Sequence, residues 1–131
     1  MNKLRGIRGA IRVKENTKEK ILDSTKRLLW KMVRENDLKA EDIASIFITA
    51  TSDLNAEFPA YAIRELGWKM VPVLCAREIE VPQSMTGVIR ILMHVNTSVS
   101  QDQIKHQYLG ETKSLRPDLA GGEDDDSADE K

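Results

Sequence analysis

The sequence predicts an α/β (α+β) fold: one mixed β-sheet with its helices packed on one side. Two observations lead there. Residues 4–13, 43–50, 68–75 and 88–95 read as strands, and two stretches of helical spacing lie between the first three, giving the order β-α-β-α-β-β. A length of 131 residues with 40% hydrophobic and 31% charged residues suits a single globular domain with a real core.

Taken in order, residues 4–13 form the first strand, in which Gly6 and Gly9 signal a bulge or a close backbone approach. Asn16 or Thr17 is the expected N-cap of a long helix, with Glu19 at the capping-box distance from Asn16. Ile21, Leu22, Thr25, Leu28, Leu29, Met32 and Val33 then recur at helical spacing as one apolar stripe, and the helix should end near Asn36. Trp30 lies off that stripe. Residues 43–50, IASIFITA, are apolar enough for a central strand. A polar loop follows. Pro59 suits the start of a short second helix over 58–66, and Gly67 suits its end. Residues 68–75 form the third strand, with Pro72 marking a sheet edge or a ladder end. A turn-rich stretch, 82–87, precedes the fourth strand, and 101–108 should be a helical turn leading into an extended piece.

The charge is unevenly placed. Residues 121–131, GGEDDDSADEK, hold six acids and one base; removing them from the totals of 21 and 20 leaves a formal charge of +4 on residues 1–120. The reading is therefore a domain over 1–120 and a disordered acidic tail over 121–131. A mildly basic body favours small anionic ligands and falls short of a nucleic-acid footprint. No apolar run is long enough to span a bilayer. A patterned strand begins almost at residue 1, leaving no room for a leader, and a single cysteine, Cys75, suits a reducing cytoplasm. One cysteine and two scattered histidines, His94 and His106, make no metal motif.

Arg90 is the residue that points to chemistry. It interrupts Val88-Ile89-Arg90-Ile91-Leu92-Met93-His94-Val95, the most hydrophobic run of the chain. Strand alternation puts Val88, Arg90, Leu92 and His94 on one face and Ile89, Ile91, Met93 and Val95 on the other. An unpaired buried guanidinium is costly, and arginine does not shed its proton. Either the strand lets Arg90 reach solvent or an ion pair, or the sheet face carries an anion site.

Several blocks occur in a fixed order: RGIRGA at 5–10, FPAxAxRE at 58–65, GWxxVPVxC at 67–75, Glu78, Ile89-Arg90, QDQIxHxYL at 101–109 and LRPDL at 115–119. Together they resemble the monofunctional chorismate mutases of the small trimeric α/β class, over nearly all of residues 4–119. The resemblance implies a homotrimer forming a pseudo-α/β barrel, with active sites between subunits, that converts the dianionic substrate chorismate to prephenate. It implies no cofactor, no metal, no nucleic acid and no membrane partner. Carried over, Arg8, Cys75, Glu78, Arg90 and Tyr108 contact the substrate from one subunit. Phe58, Arg64, Val73 and Leu74 line the same cleft from the neighbour, and Arg116 matches a C-terminal residue. Within that set Arg90, Glu78 and Cys75 are the expected catalytic residues and the rest bind substrate. Tyr61 stands where a lysine is expected, and Leu74 where a threonine-like residue is typical. His94 and His106 receive no role.

That reaction is a one-substrate pericyclic rearrangement: a C–O bond breaks as a C–C bond forms, with no proton transfer. Catalysis must come from holding a chair-like conformer and from stabilising charge on the ether oxygen. Arginine, permanently charged and rich in donors, suits that oxygen. Two other readings compete: a non-catalytic sensor of chorismate or another aromatic acid, and an imine deaminase on the same trimeric architecture. The Val-Ala-Leu-Pro block with its glutamate that marks the deaminases has no counterpart here.

Overall fold

The computed structural model describes residues 1–119. The acidic stretch 121–131, expected to be disordered, lies outside them. Five strands, β1 (Lys3–Arg12), β2 (Ile43–Ala50), β3 (Val73–Arg77), β4 (Val88–Thr97) and β5 (Gln107–Tyr108), form one mixed sheet in the order β3-β2-β4-β1-β5. β4 runs antiparallel to both its neighbours, while the outer pairs β2–β3 and β1–β5 are parallel.

The helix α1 (Lys18–Glu35) covers one face of this sheet. All seven residues of its stripe are buried, and Ile7, Ile11, Ile46, Ile48, Ile89, Ile91 and Met93 meet them from the strands. Gly9 lets the helix come close: a Cβ there would lie 2.6 Å from Met32 Sδ and 3.1 Å from Leu28 Cδ1. β1 keeps an unbroken register with β4, so of the two expectations for its glycines the close approach holds and the bulge does not. The irregularity is instead in β2, between Ile43 and Ser45.

Thr17 is the N-cap of α1, its hydroxyl accepting the Lys20 N–H at 3.2 Å. The capping box expected from Asn16 is absent because Asn16 is used elsewhere: its Oδ1 accepts the N–H groups of Asn55 and Ala56, each at 3.0 Å. Asn36 closes the helix and grips Lys105 on both sides, donating to its carbonyl at 2.9 Å and accepting its N–H at 2.8 Å. That bond delivers the chain to β5.

Two boundaries differ from the sequence reading. α2 spans only Tyr61–Glu65, because Phe58, Pro59 and Ala60 form separate turns before it. Gly67, at φ +82°, ends it as expected. β3 starts at Val73, five residues later than its pattern suggested. Pro72 has no N–H to give a ladder, but its carbonyl accepts the Ile46 N–H at 2.9 Å, so the ladder begins immediately after it. Trp30 is exposed on the outer side of α1.

Candidate active site

The face of the sheet opposite α1 is open. Cross-strand partners share a face, so Leu74, Phe47, Leu92 and Arg8 form one row across four strands, and Ala76, Thr49, Arg90 and Ala10 the next. Leu74 is 60% exposed, Phe47 42% and Leu92 39%. A contiguous apolar strip of this kind on a monomer marks an interaction surface. His94 belongs to the same face, edge-on to Phe47 and 3.1 Å from Ser45 Oγ.

Arg90 rises from this face beside Glu78. Glu78 follows β3 directly and is anchored by its N–H to the Ala50 carbonyl at 2.9 Å. Its Oε2 accepts the Thr49 hydroxyl at 2.5 Å and lies 3.3 Å from Arg90 Nε. This is an ion pair without a hydrogen bond: Arg90 Nε is buried and has no hydrogen-bond partner. The guanidinium side chain is nevertheless 43% exposed. A fixed cation with spare donor capacity on an open sheet face is what an anion or an oxygen acquiring charge requires. Thr49 was missed in the sequence. Its signal was there, a hydroxyl on the polar phase of an otherwise apolar strand, but only pairing places it beside Arg90.

A second group forms where β5 joins β1. Tyr108 pairs with Ala10, the cross-strand neighbour of Arg90, and is buried. Arg8, exposed, shares a cavity of about 750 Å³ with Leu92, His106, Arg116 and Asp118. Arg116 meets Asp118 as a fork, Nε to Oδ1 at 3.0 Å and Nη2 to Oδ2 at 2.8 Å. That pairing holds the Asp118 carboxyl below the usual carboxylate range.

The third group lies at the other sheet edge. Phe58, Tyr61, Arg64, Val73, Leu74 and Cys75 line a cavity of about 470 Å³. Phe58 is 63% exposed and stands edge-on to Tyr61, whose ring carries the Arg64 guanidinium 5.1 Å from its centroid. Tyr61, where a lysine was expected, thus gives Arg64 an aromatic seat. Val73 and Cys75 pair with Ile46 and Ile48, which belong to the covered face, so Cys75 is directed away from Arg90. Burial pushes its thiol pKa up, partly offset by the Ala60 N–H. The resemblance groups Cys75 with Arg8 and Arg90 on one subunit; within this chain Cys75 lines a cavity with Phe58 and Arg64 instead. Strand alternation and the one-residue offset of β3 decide this, and neither was legible without the register.

One chain does not bring the three groups together. β1 and β3 are separated by β4 and β2, three spacings or about 14 Å, and Val73 and Cys75 take the face opposite Arg90. Among the described residues, no group of three or more His, Cys, Asp or Glu side chains is arranged to hold a metal ion, and no helix is long and apolar enough to cross a membrane.

Comparison with known proteins gives the same outline. The family model for chorismate mutase type I matches residues 4–119. A chorismate mutase AroH of Bacillus subtilis (strain 168) is 50% identical over 118 residues, 89% of this chain and 93% of that one. One of Thermus thermophilus is 48% identical over 117 residues, 88% of this chain and 96% of that one. Among solved structures, a chorismate mutase from Clostridium thermocellum superposes with a TM-score of 0.83 at 45% identity, covering 84% of this chain and 98% of that one.

Proposed function

The chain belongs to the chorismate mutase type I family and is a chorismate mutase, the isomerase of aromatic biosynthesis that rearranges chorismate to prephenate; we propose that it works as a homotrimer whose clefts are each built by two neighbouring chains. The observation that carries this reading is the Arg90–Glu78 pair: a guanidinium with an unpartnered Nε, seated on an open sheet face beside an apolar strip. A second copy laid on that strip would cover Leu74, Phe47 and Leu92 and bring its own Phe58 and Arg64 toward Arg90.

In that cleft Arg90 is the catalytic cation. The substrate's ether oxygen gains negative charge as its C–O bond lengthens, and a preorganised donor stabilises that charge more than it stabilises the ground state. Glu78, held by Thr49, accepts a hydrogen bond from the ring hydroxyl. Arg8, Tyr108 and Arg116 hold the carboxylates. From the neighbour, Phe58, Val73 and Leu74 wall the ring, Arg64 draws the dianion to the rim, and Cys75 approaches the hydroxyl from the side opposite Glu78. Holding the reacting carbons together in a chair supplies the rest of the acceleration. A reducing cytoplasm suits the single free thiol.

The test is direct. Purified protein given fresh chorismate should form prephenate at the same rate with and without EDTA, followed optically. Absence of turnover, or its loss on chelation, would refute the mechanism.

A further inference from the structure

We infer that His106 is a positioning residue of the cleft: as a neutral imidazole it holds Arg8 in place by accepting the Arg8 backbone N–H. This rests on the reading of Arg8 as a substrate-binding residue. The ladder between β1 and β5 is only two residues long, Gly9 with Gln107 and Ala10 with Tyr108. Upstream of it, the outer edge of β1 has no strand beside it, and side chains take the strand's place. Gln101 accepts the Gly6 N–H at 3.0 Å and donates to the Gly6 carbonyl at 2.7 Å. His106 Nδ1 accepts the Arg8 N–H at 2.9 Å. The backbone of Arg8, and with it the direction of its guanidinium, is therefore fixed on this edge by one ring nitrogen.

Only a neutral ring can do this. An Nδ1 that accepts an N–H carries no proton, so the proton of the neutral ring is on Nε2. The surroundings favour that form. His106 faces Arg8 from β1, Arg116 and Asp118 from the C-terminal segment, and Gln101 and Asp102 from the turn before β5. Burial, then the charges of Arg8 and Arg116, hold its pKa below the ordinary 6.5. Protonation turns Nδ1 from acceptor to donor, breaks the bond to Arg8 and places another positive charge beside two arginines.

The consequence is a binding device that fails in acid. Three variants and a pH series with chorismate test it. His106→Leu, which has no acceptor, should raise KM roughly tenfold, the loss of about one hydrogen bond, with kcat changed far less. His106→Asn, whose Oδ1 replaces Nδ1 and does not titrate, should recover most of that loss. In the native protein kcat/KM should fall as pH drops below 6.5, and His106→Asn should lack that limb. If His106→Leu does not fold, the pH comparison of the native protein with His106→Asn decides alone. An acid limb that persists in His106→Asn, or a His106→Leu protein with native KM while Arg8→Gln raises it, overturns the inference. Arg8→Gln with native KM would remove the reading of Arg8 itself, and the positioning role with it.

Discussion

Neighbouring residues of β4 lead opposite lives. Ile89, Ile91, Met93 and Val95 point under α1 and are almost fully buried, whereas Arg90, Leu92 and His94, interleaved with them, look out from the uncovered side. The covered face is a packing problem solved within one chain. The open face combines an apolar strip, which a monomer has no use for, with an arginine whose cost is met only partly by Glu78. In the proposed reading one face folds the molecule, and the other assembles it and does its chemistry. Substitutions on the two faces should fail in different assays.

The largest effect belongs to the open face. Arg90→Lys keeps the charge but loses the planar fork, and removal of one well-placed donor typically lowers the rate on the order of 10²–10³-fold. Kinetics on a normally folded variant should show at least that loss, with the melting temperature little changed. Near-native activity would make Arg90 structural. Next comes the covered face. Ile91→Ala removes a side chain that is 3% exposed and should cost about 2–5 kcal/mol of folding stability in denaturant titration, leaving turnover per folded molecule nearly intact. Leu92→Ser, one residue on, should do the reverse: little loss of folding, but a shift toward smaller species in analytical ultracentrifugation. Equal effects of the two on folding would erase the distinction between faces. Gly9→Val comes after these. Met32 must yield to the new methyls, so overpacking of about 1–3 kcal/mol is expected, again without a kinetic signature.

The smallest effect is a pH dependence of stability. His106 has a folded pKa below 6.5, so the unfolded chain binds the proton more readily. Its contribution is fully present above 6.5 and is lost as pH falls toward the folded value. Replacing it with Asn should flatten that part of the stability curve; an unchanged slope there would mean that His106 does not titrate differently on folding.

The covered face was the legible part of the sequence. The stripe of α1 and the alternation of β1, β2 and β4 are local patterns, and a period of two or 3.6 residues reports directly which side chains are buried. β3 resisted because residues 68–71 look like strand but precede Pro72, and the ladder begins only after it. The candidate site came from the sequence as a list of residues carried over by resemblance to a family, and such a list contains no geometry. Thr49 and His106 act through partners 29 and 98 residues away, which no local pattern encodes. The side taken by Cys75 depends on a register that only the folded sheet supplies.

A cleft shared between chains is the central claim, and subunit mixing tests it most directly. Arg90→Ala and Arg64→Ala proteins should each be nearly inactive alone. After subunit exchange of an equal mixture, about a quarter of the clefts of a cyclic trimer would pair an intact Arg90 with a neighbour's intact Arg64, and chorismate turnover should return to about that share of the native rate. No recovery despite demonstrated exchange, or full native activity from an isolated monomer, would contradict the claim and place the whole site within one chain.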